Sequence, residues 1–412
     1  MLQYDQLKRL VAGDAVAIRG MATLEPAGGP GDKIFPPTHA VDSKDNKPGA
    51  KYAFETRRIG GQDVTCVLID SVQSQANRME EALEALWAAG EIALPVVSVD
   101  FSTIAPEVGR VTSLTAPHRI ADALLRDSLL EGKLFRLSQI GMSFTHASTK
   151  NASALFKVCP TALVFGLWDS TGPKGGLGAK FQRALVSEIV GVNASVGTKT
   201  SSRIDPVTTG KLGGSNPLFK SRNPEEVWVF DRDQALSKQG EPVKVGKNNK
   251  LGLPSAVVLG NIAPTIDSIA GGVTIDEARH TAVLSLAALR RLGFTDGAIE
   301  ARTLLAALGL LALLACESRG HDLRSRCLLV PRKGCALKLE AVGRDGETSL
   351  LELDSAAAIK LYKDAVAALP KDLGFASPAG MALAELTPSP KLADLVSKSR
   401  ALAAAESDST ED

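Results

Sequence analysis

Cysteine is scarce and odd in number: Cys66, Cys159, Cys316, Cys327 and Cys335 make up all five. No two stand in a C-x-x-C pair, which excludes a disulfide framework and points to a reducing, intracellular compartment. Cys316, His321, Cys327 and Cys335 lie close enough in sequence to raise zinc. Cys316, however, ends an apolar run, and the other two cysteines fall in strand-like alternation, so no metal site and no cofactor are expected. Histidine is equally rare. His39, His118, His146, His280 and His321 show no ligand or triad spacing, so no catalytic residues are assigned and no enzyme is expected. An excess of either charge is also missing: 47 basic against 46 acidic residues leave a formal net charge of +1. Any nucleic acid must therefore be held by a local patch. The opening MLQYDQLKRL lacks the charged-then-apolar layout of a signal peptide. The apolar run Leu304 to Cys316, bounded by Arg302 and Glu317, is too short to span a bilayer and reads as a buried core helix. We expect a cytoplasmic protein with no membrane partner.

What is present suits a soluble globular chain: 412 residues, 44% hydrophobic and 23% charged, enough for one elaborated domain or two ordinary ones. Ala15 to Leu24 is strand-like and leads into a Gly/Pro loop containing Lys33. Tyr52 to Arg58 and Val64 to Ile69, split by Gly60-Gly61, predict a hairpin. Helices are predicted near 71–89 and 119–131. Thr161 to Trp168 reads as an all-apolar strand, and the segment ending at Val192 as helical at first. After a polar stretch, the pattern predicts a strand near 256–259 and helices near 276–292 and 298–317. Cys327 to Val330 and Ala336 to Val342 read as strands, with Asp345-Gly346 as a hairpin turn. Two helices and the acidic tail ESDSTED close the chain, the tail expected to be disordered. Strands and helices mix without regular βαβ alternation, so the fold class is α+β rather than doubly wound.

Three constellations could carry chemistry. Residues 64–87 pass from a buried-looking strand into an amphipathic helix, with Asp70 and Ser71 as N-cap side chains and Gln73, Gln75, Asn77 and Arg78 at the join. Free N–H groups at a helix start suit phosphate, and amides with one Arg suit a sugar-phosphate backbone. The alternative is an ordinary capped helix whose amides tie down loops. The second, STGPKGGLGAKF at 170–181, fails the Walker pattern but combines a glycine loop (Gly175, Gly176) with Lys174, Lys180 and then Arg183. A plain surface turn is the alternative. The third, residues 196–255, is polar and rich in Gly, Pro, Ser, Thr and Lys. It carries Lys199, Arg203 within SSRIDP, and the cluster Lys244, Lys247 and Lys250. Arg203 and Asp205 could form a local ion pair, or the Arg could face phosphate. A loop region this long is usually functional or disordered.

Taken together, these blocks resemble the CRISPR-associated RAMP protein that forms the backbone of type I-G (formerly I-U) Cascade effector complexes. The resemblance rests on KIFPPTHAV, LIDSVQSQANRMEEAL, PTALVFGLWDS with KF-x-RAL-x-SEIVG, and SRIDP. Further on it includes LGNIAPTIDSIAGGVT, LSLAALRRLGF, and ARTLLAALGL leading to LRSRC. The strings recur in order from about residue 15 to 330, and the last eighty residues add no motif.

The resemblance implies an RRM-like (ferredoxin-like) palm with large helical and loop insertions. It implies copies assembled head to tail along CRISPR RNA and a thumb-like hairpin that interrupts guide–target pairing. The expected layout is a first palm part at 1–195, a candidate thumb at 196–255, a second palm part at 256–375, and a C-terminal helix and acidic tail at 376–412. Expected partners are CRISPR RNA, the target DNA strand paired to the guide, other copies of the chain and other subunits of the type I-G antiviral complex. The RNP aromatic motif is absent and aromatics are scarce, so bases are not expected to stack on the sheet face. Contacts from loops and helix starts are expected instead, through Gln73, Gln75, Asn77, Arg78, Lys174, Lys180, Arg183 and Arg203. Guide pairing then reads sequence. A RAMP-type endoribonuclease processing CRISPR RNA is the alternative function, although no compact acid–base set is visible.

Overall fold

The computed structural model describes residues 1–40, 51–171, 178–209, 216–223, 225–246 and 252–410, the last eight as helix backbone only. The chain is a mixed α+β protein that divides into two compact units, Met1–Val196 with Gly272–Ala393, and Gly197–Gly271 with Asp394–Asp412.

In the first unit, β1 (Ala17–Pro26) alternates buried Ile18, Ala22 and Leu24 with half-buried Arg19 and Thr23 and exposed Met21. That period of two makes it a strand with one covered face. β2 (Phe54–Ile59) and β3 (Gln62–Asp70) form the expected hairpin. Gly60 and Gly61 both take positive φ in its turn, a conformation that favours glycine. Adding β4 (Leu185–Val192), β5 (Glu277–Ser285), β6 (His321–Arg324) and β7 (Cys327–Pro331) gives the order β2-β3-β4-β5-β1-β7-β6. β8 (Lys338–Val342) pairs with the first half of β1, and β9 (Thr348–Leu351) pairs with β8.

Helices α1 (Tyr4–Ala12), α2 (Val72–Ala88), α3 (Ala298–Ser318) and α4 (Ser355–Ala367) complete the core. α3 is the apolar run expected as a core helix. Its length and composition would let it cross a membrane, yet Leu304 to Leu311 are all buried, against α1, α2 and α4. Gly309 lets it lie close to β5, since a Cβ there would stand 3.2 Å from Leu284 Cδ1.

Several expected elements differ. Residues 277–285 form a strand rather than a helix, burying Ala278, His280, Ala282 and Leu284 on one face. The stretch 185–192 is likewise a central strand, and residues 178–184 before it form no helix. Conversely, Thr161–Phe165 is a buried helix, with a short strand only at Leu167–Trp168. A short apolar run does not reveal its period, and here Gly166, at φ +87, ends the helix. The helix predicted near 119–131 is a turn of 3-10 helix, a turn of α-helix and a strand at Ser128–Leu130. The strand expected at 256–259 is 3-10 helix over Pro254–Val257, and the extended segment comes at Ile262–Asp267. The last helix, Pro390–Thr410, runs into the acidic stretch expected to be disordered.

In the second unit, Lys199–Arg203 pairs with Ile262–Asp267 as a ribbon. Between them, a small apolar cluster of Phe219, Val229 and Ala235 holds two-residue ladders together. The polar segment thus has a modest core of its own.

Candidate nucleic-acid interface

The join between β3 and α2 is built around a buried carboxylate. Asp70 is fully buried, and such a group needs donors on both oxygens. Ser74 Oγ and an Arg324 nitrogen reach Oδ1 at 2.8 and 3.1 Å, while Gln75 Nε2 and Arg78 Nε reach Oδ2 at 2.7 and 3.0 Å. Arg78 also donates to the Leu323 carbonyl at 2.6 Å. Ser71 caps the helix by accepting from the Ser74 N–H. The amide and guanidinium expected to meet phosphate are therefore already engaged by the protein's own anion. Gln75 is 2% exposed, with its carbonyl oxygen accepting from Ser187 Oγ. Only Gln73 and Asn77, one helical turn apart, are exposed.

A second region lies on the short ribbon that pairs Leu167–Trp168 with Lys180–Phe181. Trp168 is 58% exposed, and Lys180 Nζ sits 5.3 Å from its ring centroid. An exposed indole beside a lysine offers a π-face and a charge together, the pairing a single-stranded nucleic acid uses. The composition pointed away from aromatic contacts, and Trp168 was missed because it ends an otherwise apolar run. Arg183 follows on the same segment and is exposed; among the described residues no carboxylate forms an ion pair with it. Lys174, Gly175 and Gly176 lie outside the described residues.

Two buried ion pairs fix this ribbon. Arg119 makes a bidentate contact with Glu80 of α2, at 2.6 and 2.7 Å, and also donates to the Gly166 carbonyl. Burial pushes the Glu80 carboxyl up to about 7, and the Arg119 guanidinium offsets only part of that rise. Arg136 pairs with Asp169 at the end of the ribbon strand, and its guanidinium lies 4.4 Å from the Phe144 ring centroid. Gly166 is required there. A Cβ would meet Arg183 Cγ at 3.0 Å in a backbone conformation that side chains rarely adopt.

In the second unit, Lys199 pairs with Asp267 at 3.3 Å on the ribbon's surface. Arg203 is half-exposed opposite Ile262, and among the described residues it pairs with no carboxylate. Asp205 instead accepts from the Val207 and Thr209 amides and from Thr209 Oγ1. The local Arg203–Asp205 ion pair weighed from the sequence does not form. Lys244 is half-buried, in a bridge with Phe219. Lys247 and Lys250 lie outside the described residues.

The open face of the main sheet carries charges that largely pair with one another, Arg19 with Glu340, Arg57 with Glu188 and Arg332 with Glu25. β1 and β5 place no aromatic ring there.

Residues 18–196 match the model of a family described as CRISPR-associated protein GSU0053. That stretch, less than half of the chain, is similar to a CRISPR-associated family. This agrees with the RAMP resemblance carried by its motifs, and the matched stretch runs from β1 through α2 and the Trp168 ribbon to β4. Lys199, Arg203 and α3 fall outside it. No curated protein matches the chain. A crystal structure of Thermofilum pendens Csc2 aligns at a TM-score of 0.26 and 10% identity, over 89% of this chain and 76% of that one. At that score the superposition carries no argument.

Proposed function

We propose that this protein is a non-catalytic backbone subunit of a type I-G antiviral interference complex, polymerising along CRISPR RNA in the cytoplasm and supporting guide–target DNA pairing. The observation that carries the reading is the family match over residues 18–196, joined to motifs that continue in order to about residue 330. The connectivity of the main sheet supports an RRM-like palm. β1-α2-β4-β5-α3-β7 runs β-α-β-β-α-β, and those four strands lie in the order β7-β1-β5-β4. The thumb assignment draws on the second unit, which occupies the sequence between β4 and β5 and runs to Gly271 rather than to 255.

RNA contact is assigned to Gln73 and Asn77 on α2, to Trp168, Lys180 and Arg183 on the ribbon, and to Lys199 and Arg203 at the root of the second unit. Gln75 and Arg78 support that surface from behind. The absorbance ratio of the purified protein at 260 and 280 nm, with sizing of any co-purified RNA, tests the reading: RNA-loaded material of graded lengths is expected. Cleavage of repeat RNA in EDTA would replace the backbone role with that of an endoribonuclease.

A further inference from the structure

Behind the sheet, the fold brings together three residues that the sequence keeps apart. His280 lies at the middle of β5, Glu317 in the last turn of α3 and His321 at the start of β6. Their donor atoms all lie within 4.8 Å of one another, and both histidines are buried. His280 Nδ1 is 3.1 Å from Glu317 Oε1, and His321 Nε2 is 3.5 Å from Oε2.

The hydrogen-bond chain leading to this cluster has a fixed direction. Asp70 can only accept, so Gln75 turns its NH2 toward it and its carbonyl oxygen toward Ser187. The single hydroxyl proton of Ser187 is donated to that oxygen at 3.0 Å. Ser187 Oγ must then accept from His280 Nε2–H, 2.8 Å away. The other ring nitrogen, Nδ1, faces the Glu317 carboxylate at 3.1 Å. Nδ1 is buried and has no hydrogen-bond partner in acceptable geometry. An imidazole nitrogen and a carboxylate oxygen this close share a cation, either a proton on Nδ1 or a metal ion, and the second histidine on the same carboxylate points to the metal ion. Glu317 also stands at a helix C-terminus, where the helix dipole disfavours an anion.

We propose that His280 Nδ1, His321 Nε2 and the Glu317 carboxylate bind a borderline divalent transition ion of the zinc class, with water completing its shell. Ligands at zinc distances on a tetrahedral ion stand about 3.4 Å apart, and the two histidine–carboxylate spacings, 3.1 and 3.5 Å, lie either side of that value. Ser187 supplies the hydrogen bond that orients a ligating imidazole through its other nitrogen. The bound ion pins the end of α3 and the turn at Gly320 to the middle of the sheet.

The test uses the full untagged chain, purified without chelator, and elemental analysis. Zinc is expected at about one ion per chain, removable by EDTA with a fall in melting temperature that added Zn²⁺ reverses. Co²⁺ added to the stripped protein should give the visible ligand-field bands of a four-coordinate site. Glu317→Gln and His321→Ala should lose both signals. Should either variant fail to fold, the Co²⁺ spectrum of the unaltered chain decides. Absence of retained zinc together with no Zn²⁺-dependent melting shift would overturn the proposal. So would equal zinc binding by a folded His321→Ala variant, or a ¹⁵N spectrum showing His280 doubly protonated in the protein as purified.

Discussion

Asp70 governs the residue scale, because its four donors come from α2 and from β6. Replacing it with alanine leaves Arg78 and Arg324 facing each other without their shared anion. A loss of about 3–5 kcal/mol in unfolding free energy is expected by urea titration, the cost of stranding buried charge. Arg78→Ala removes one charged hydrogen bond and a contact to the Leu323 carbonyl, at roughly 1.5–3 kcal/mol. Trp168 behaves oppositely. It is exposed and packs on Lys180, so Trp168→Ala should leave the melting temperature within error and weaken single-stranded RNA binding by about 1–3 kcal/mol, read by fluorescence anisotropy. A stability loss with unchanged affinity would move Trp168 from the RNA surface to the fold.

At the scale of elements, the ribbon carrying Trp168 depends on a residue in a helix far from it in sequence. Glu80 of α2 holds Arg119, and Arg119 holds the Gly166 carbonyl. Glu80→Ala should therefore loosen the ribbon as well as destabilise the protein, by roughly 3–5 kcal/mol. Hydrogen exchange at residues 166–168 and 180–183 should rise more than in β1. Equal exchange in both places would mean that the ribbon is held by other contacts.

The strand β1, the hairpin and the helices α2 and α3 were legible because their periods and turn residues were unambiguous. β5 was not, since EARHTAVLSLAALRR is rich in good helix formers and its alternation of buried Ala278, His280, Ala282 and Leu284 is visible only once the core is known. The join between β3 and α2 was legible as a strand-to-helix turn, but its hydrogen bonding was not. Gln75 and Arg78 look like ligand donors until the burial of Asp70 is seen, and burial of a single carboxylate leaves no trace in composition or spacing. His280 and His321 could not be joined for the same reason, since only the strand order brings them to one carboxylate.

At the scale of the whole molecule, the segment Gly197–Gly271 of the second unit is an insertion whose ends meet. Ser195 pairs with Thr274 and Val196 with Val273, so a short glycine-containing turn can replace 197–271 and close β4 onto β5 as a hairpin. The shortened chain should melt cooperatively and lose assembly on RNA, since the proposed thumb carries Lys199 and Arg203. Assembly by the shortened chain would place all RNA contacts in the first unit.

The proposed backbone role requires the chain to polymerise on RNA through a local surface, despite a formal net charge of +1. The most direct test is the mass of complexes formed on single-stranded RNAs of increasing length, repeated across a range of salt. Copies per RNA should grow with RNA length and fill cooperatively, with little preference for sequence. If each copy neutralises roughly three phosphates, log affinity per copy should fall against log salt with a slope of about −2. One copy per RNA whatever its length, or an affinity indifferent to salt, would contradict the account.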